Sequence, residues 1–262
     1  MKSIIIVWLL MVSTVFGNAL QIGSDIDGEA SVDRSGDTVA LSSDGSIVAI
    51  GARSNDDNGS YSGHVRLYQW DGSSWNQLGS DIDGEASYDN SGYSVALSSD
   101  GSIVAIGARY NDGNGSDSGH VRLYQWDGSS WNQLGNDIDG EVSGDFSGES
   151  VALSSDGSIV AIGAPYNYGN GMDSGHVRLY QWDGSSWNQL GNDIDGEASY
   201  DYSGESVALS SDGSIVAIGA PYNDGNGSGS GHVRVYATAT DQDNDGLTDG
   251  FEVNTSSTDP ND

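Results

Sequence analysis

Cysteine is absent from the 262 residues, so an exported chain of this sequence holds its fold without disulfides. Stability must come from packing or from bound metal. Lysine occurs once, as Lys2; with seven arginines the positive side chains number 8 against 39 acids, for a formal net charge of −31. So little positive surface excludes nucleic acid as a partner, because nothing is available to neutralise phosphates. The charge suits a salty or calcium-rich medium, where screening over roughly 10 Å or less blunts self-repulsion. Long hydrophobic runs are also missing, apart from Ile4 to Phe16. Lys2, that run, and the small residues around Gly17 and Ala19 read as a signal peptide over residues 1–19. The run falls short of the roughly 20 residues of a membrane span. The expectation is a chain that is secreted or held at the cell surface, with no membrane span after cleavage.

What the sequence has in place of these features is repetition. One 56-residue unit is written four times over residues 22–240, with His64, His120, His176 and His232 in register inside Gly-His-Val-Arg. The same step relates Trp70, Trp126 and Trp182, and Asp44, Asp100, Asp156 and Asp212. Residues 78–133 and 134–189 differ at eight positions. A fixed period of this length, in units too small to bury a core alone, marks a repeat architecture. Repetition also argues against an enzyme. Every candidate acid, His or Arg recurs in equivalent places, and no pair stands apart from its copies.

Each unit carries four strand signals. In the second they are Ser94–Ser98, Ile103–Ala108, His120–Trp126 and Trp131–Leu134. Asp100-Gly101 and Asp127-Gly128 mark tight hairpins, since glycine accepts the positive φ such turns demand. The run Ile103-Val-Ala-Ile-Gly-Ala108 fits a strand buried on both faces. Tandem four-stranded antiparallel sheets predict an all-β fold, a β-propeller of four blades over residues 20–238. Leu20-Gln21-Ile22 matches a fourth strand that the last unit lacks, so the N-terminal strand is expected to close the ring. Open solenoid and partial ring remain alternatives.

Ser147-Gly148 through Gly163-Ala164-Pro165, and again Ser203-Gly204 through Gly219-Ala220-Pro221, resembles the FG-GAP repeat of integrin-α-type propellers. The resemblance covers all four units and implies a propeller with an adhesive or ligand-binding role. Three departures stand out. Ser-Gly replaces Phe-Gly, the first two units end Gly-Ala-Arg at Arg53 and Arg109, and a short Ser-Ser-Asp-Gly-Ser turn replaces the family's calcium loop.

The units differ from one another mainly in two loops, around residues 30–38 and 53–61 and their equivalents. In an up-and-down blade both loops emerge on one face. Nine of the 13 tyrosines sit there, among Asp, Asn, Ser and Gly. Such residues make an adaptable binding surface on a rigid scaffold. The candidate ligand-binding residues are Tyr88, Tyr93, Tyr110, Phe146, Tyr166, Tyr168, Tyr200, Tyr202 and Tyr222. The competing reading makes them plugs between blades.

Residues 239–262 form an acidic tail. Asp241, Asp243, Asp245, Leu247 (through its carbonyl), Asp249 and Glu252 match a twelve-position calcium loop with Gly246 at its sixth place. Followed by Ser-Thr-Asp-Pro, the segment resembles the bacterial thrombospondin-type-3 calcium repeat, so calcium is the expected cofactor. A further acidic motif, Asp-Ile-Asp-Gly-Glu at 25–29, 81–85, 137–141 and 193–197, reads as a strand-ending turn or a second calcium site. The four histidines read as structural. Together these features predict a non-enzymatic, calcium-binding adhesion module with an extracellular glycan or protein ligand. A polysaccharide hydrolase and a self-associating matrix protein are the alternatives.

Overall fold

The computed structural model describes residues 19–238; residues 1–18 and 239–262, including the calcium-loop residues Asp241 to Glu252, lie outside the described residues. The described residues contain no helix and form four successive antiparallel sheets of the β-propeller blade type. The first blade comprises β1 (Thr38–Leu41), β2 (Ile47–Ala52), β3 (His64–Trp70), β4 (Trp75–Gln77) and β5 (Ile82–Asp83). The second repeats them as β6 (Ser94–Leu97), β7 (Ile103–Ala108), β8 (His120–Trp126), β9 (Trp131–Gln133) and β10 (Ile138–Asp139). The third holds β11 (Ser150–Leu153), β12 (Ile159–Ala164), β13 (His176–Trp182), β14 (Trp187–Gln189) and β15 (Ile194–Asp195). The fourth holds β16 (Ser206–Leu209), β17 (Ile215–Ala220) and β18 (His232–Ala237).

The fourth strand position is split. β9 pairs with the end of β8 and β10 with its start, so Ile138 lies opposite Val121 and Asp139 opposite His120. The acidic motif is thus partly strand, which places its carboxylates beside the histidines. Each Ser-Ser-Asp-Gly-Ser hairpin is closed by its own side chains. Asp100 accepts hydrogen bonds from the Ser98 and Ser102 hydroxyls and the Ser102 amide, and Gly101 takes φ 71°.

The core lies between blades. Ile47, Ala49, Val65 and Leu67 of the first pack against Val104 and Ile106 of the second, and the pattern recurs at the next two junctions. Backbone hydrogen bonds from Ser43 to Ser99, Ser99 to Ser155 and Ser155 to Ser211 stitch the hairpins across the same junctions. Among the described residues, the outer faces of the array have no such neighbour. Val233 and Val235 are 67% and 64% exposed, whereas their third-blade counterparts Val177 and Leu179 are buried. Val39 and Leu41 on the first blade are exposed as well. The fourth sheet has three strands among the described residues, and Leu20-Gln21-Ile22 forms none, so the structure does not show the ring closed. The Ile22 carbonyl instead accepts a hydrogen bond from Trp75 of the first blade, as the Leu78 carbonyl does from Trp131.

Candidate functional site

The variable loops are held by an invariant frame. Asp89 is buried and accepts hydrogen bonds from the Ala86 amide and the Asn111 side chain, tying the two loops together. Asp145 with Asn167 and Asp201 with Asn223 repeat the tie. On this frame five aromatic rings form one edge-to-face ladder across three blades. Tyr110 meets Phe146 at 5.4 Å, Phe146 meets Tyr166 at 4.9 Å, Tyr166 meets Tyr202 at 5.1 Å, and Tyr202 meets Tyr222 at 5.3 Å. These separations suit edge-to-face attraction.

Several of the rings sit on strained backbone. Phe146 and Tyr202 adopt φ 54° and 53°, in the left-handed region where Asn90 is their second-blade counterpart. Tyr88 and Tyr200 adopt φ 75° and 68°, where the third blade uses Gly144. An aromatic residue there costs on the order of 1 kcal/mol or more, and such outliers concentrate at functional sites.

Arg109 lies inside the ladder. Its guanidinium stands 4.7 Å from the Tyr93 ring centre, 4.6 Å from Tyr110 and 4.8 Å from Phe146. It donates to the Tyr93 hydroxyl and forms an ion pair with Glu149. Burial pushes the Glu149 carboxyl up, and the guanidinium beside it pulls it back. One junction further on, Pro165 replaces Arg109 and Glu205 replaces Glu149. There an open cleft of 470 Å³ is lined by Tyr166, Tyr200, Tyr202, Tyr222, Glu205 and Asp224.

Of the nine residues singled out from sequence, five make the ladder and Tyr93 flanks it through Arg109. Tyr88 belongs to a separate pair, stacked on Tyr61 at 6.0 Å. Tyr200 lines the cleft, and its hydroxyl donates to the Met172 sulfur at 2.8 Å. Tyr168 is exposed and joins no aromatic pair among the described residues. Sequence reasoning noted Arg109 only as a departure from Gly-Ala-Pro and gave it no place in the site; Pro165 and Pro221 stand at its position in the last two copies.

Sequence reasoning missed a second arrangement on the same side of the blades. His120 Nδ1 lies 3.8 Å from Glu85 Oε2 and 3.8 Å from Asp137 Oδ2. His176 stands 3.8 Å from Glu141 and 3.9 Å from Asp193. His64 stands 3.8 Å from Glu29 and 3.9 Å from both Asp57 and Asp81. Each set draws its Glu from one acidic motif and its Asp from the next. The three histidines are buried while the carboxylates reach solvent. Burial, then the neighbouring Arg122 and Arg178, push the His120 and His176 imidazoles down to about 4, so both are neutral near pH 7.

The FG-GAP repeat family model matches residues 81–124 and 194–236 of the chain. A search of curated proteins finds no match. Among solved structures the chain is similar to the β-propeller domain of Myceliophteria thermophila Cps50 (Swd1), at 11% identity and a TM-score of 0.44, over 78% of this chain and 53% of that one. It is also similar to Kuenenia stuttgartiensis hydrazine synthase, at 17% identity and a TM-score of 0.47, over 78% and 58%. A third is a putative 6-phosphogluconolactonase from Bacteroides fragilis, at 11% identity and a TM-score of 0.43, over 60% and 38%. The chain spans about half the length of these structures.

Proposed function

We propose that this chain is an extracellular, non-enzymatic binding module that takes its ligand on the aromatic loop face. The observation that carries the reading is the ladder ending in the cleft of Tyr166, Tyr200, Tyr202 and Tyr222, built partly on left-handed backbone. Aromatic faces beside Glu205 and Asp224 suit a sugar ring, whose C–H face stacks while its hydroxyls donate to carboxylates. An extracellular glycan or glycoprotein is therefore the first ligand class. Its test is an array of polysaccharides and glycoproteins probed with the full chain and with a Tyr200→Gly, Tyr222→Ser double variant. Binding that the variant keeps would rule out the cleft.

Arg109 supports a second reading. At its junction the chain fills an aromatic setting with its own guanidinium, and at the next junction the aromatics and Glu205 are present without one. A cationic side chain of a protein ligand would fit there by cation–π attraction and charge. Competition by free arginine on the same array separates the two classes. The tail adds a calcium site at Asp241, Asp243, Asp245, Leu247, Asp249 and Glu252 to the proposal. Calorimetry with Asp241→Ala, Asp245→Ala should then show calcium affinity falling at least tenfold.

A further inference from the structure

We infer that each of the first three blades binds a divalent transition-metal ion such as Zn²⁺ between one histidine and two carboxylates. The ligands would be Glu29, His64 and Asp81 on the first blade, with Glu29 from the segment before β1, then Glu85, His120 and Asp137 on the second, and Glu141, His176 and Asp193 on the third. This site is separate from the aromatic face and from the tail, and it does not rest on the ligand reading above.

The argument begins with an unmet requirement. His64, His120 and His176 are each 1% exposed, and in each the Nδ1 atom has no hydrogen-bond partner among the described residues. Buried polar atoms are rarely left this way, because losing water without replacement costs free energy. Carboxylate oxygens face each Nδ1, yet at 3.8–3.9 Å they are too distant for a hydrogen bond. That spacing is instead what two ligands show when each lies about 2.1 Å from one ion at an open angle. The ligand atoms of each set all lie within 4.8 Å of one another. The same arrangement is built three times.

The surroundings fit. An imidazole nitrogen offers a lone pair to a metal, and two carboxylates offset a divalent charge. Arg122 approaches Glu85 through Oε1 at 3.5 Å, leaving Oε2 turned to His120. The half-exposed carboxylates give an ion a path from solvent. Imidazole nitrogen with carboxylate oxygen suits Zn²⁺ or Co²⁺, whereas Ca²⁺ favours oxygen alone. Within the chain, the Glu, the His and the first Asp of the motif are the same in every copy, while the position between them occupied by Tyr88 and Tyr200 is Gly144 in the third.

The copies also differ in a useful way. Asp57 adds a fourth ligand at the first-blade site, where the second and third carry Gly113 and Gly169. In the fourth blade, Glu197 and His232 face each other at 3.5 Å without a third ligand among the described residues. The first site should therefore be the tightest, the next two equal, and the fourth the weakest.

The test titrates the full chain with Co²⁺, followed by its visible ligand-field spectrum, and then displaces it with Zn²⁺. Three equivalents of Co²⁺ with a nitrogen–oxygen spectrum are expected, and millimolar Ca²⁺ should leave them in place. Asp137→Asn and Asp193→Asn alter half-exposed positions and should each remove one equivalent, as should Asp81→Asn at the first site once Asp57→Gly has removed its fourth ligand. Asp57→Gly copies the sibling blades and should weaken the tightest site at least tenfold without changing the count. A spectrum and stoichiometry unmoved by the three Asp→Asn changes would overturn the proposal. So would cobalt binding that is lost only with Asp241→Ala, Asp245→Ala. Ready displacement by Ca²⁺ would overturn the transition-metal assignment.

Discussion

At the residue scale, the chain spends stability on its loop face. Tyr200 occupies a backbone position that Gly144 fills in the neighbouring blade, at φ 68° against 84°. Tyr200→Gly should relieve strain and raise stability by about 0.5–1 kcal/mol, read from urea denaturation, while weakening any ligand that uses the cleft. A loss of stability would mean that the tyrosine is a packing plug, the competing reading of these loops. Arg109 gives the opposite expectation. Its partner Glu149 is nearly buried, so Arg109→Ala leaves a charge without compensation and should cost roughly 3 kcal/mol. Adding Glu149→Gln should recover part of that loss, because the residual amide carries no charge to desolvate. The tyrosines were legible in the sequence because their neighbours vary; the arginine was not, because its ring partners come from two blades.

At the element scale, the hairpins explain both the regularity and an acid sensitivity. Hydrogen bonds from the Ser46 amide and hydroxyl and the Ser42 hydroxyl hold the Asp44 carboxyl down at about 2, and Asp212 likewise through Ser210 and Ser214. Asp127 is held lower still by Ser129, Ser130 and Asn132. A carboxyl whose folded value lies below its unfolded value contributes stability above about pH 4, and that contribution is lost as pH falls toward 2. The thermal midpoint should therefore drop across that window, and Asp44→Asn should make the drop shallower. Asp-Gly turns and β-branched runs made these strands readable: the expected Ile103–Ala108 and His120–Trp126 are the observed β7 and β8. The two-residue strand Ile138–Asp139 was not readable. It is too short for a period-2 pattern and is set by pairing to the start of β8, a long-range contact. Missing it hid the histidine–carboxylate sets, since that pairing brings Asp137 to His120.

At the scale of the whole molecule, no blade has an interior of its own, so stability belongs to junctions. Repeat arrays of this kind behave as units plus nearest-neighbour interfaces. Amide exchange should accordingly be slowest in β7, β8, β12 and β13, which have a blade on each side, and fastest in β1 and β18. Val177 and Val233 make the comparison quantitative, because they are the same residue at the same place in consecutive blades, one buried and one 67% exposed. Val177→Ala should cost about 2 kcal/mol through the cavity it leaves. Val233→Ala should fall within about 0.5 kcal/mol of the parent, as surface changes do. The pair also reports on closure. A ring sealed in solution would bury Val233 against the first blade, beside Val39 and Leu41, and give it the cost of Val177. Unequal costs mean that the two apolar end faces stay open, whereas equal costs at low protein concentration mean that the first and fourth blades meet within one chain.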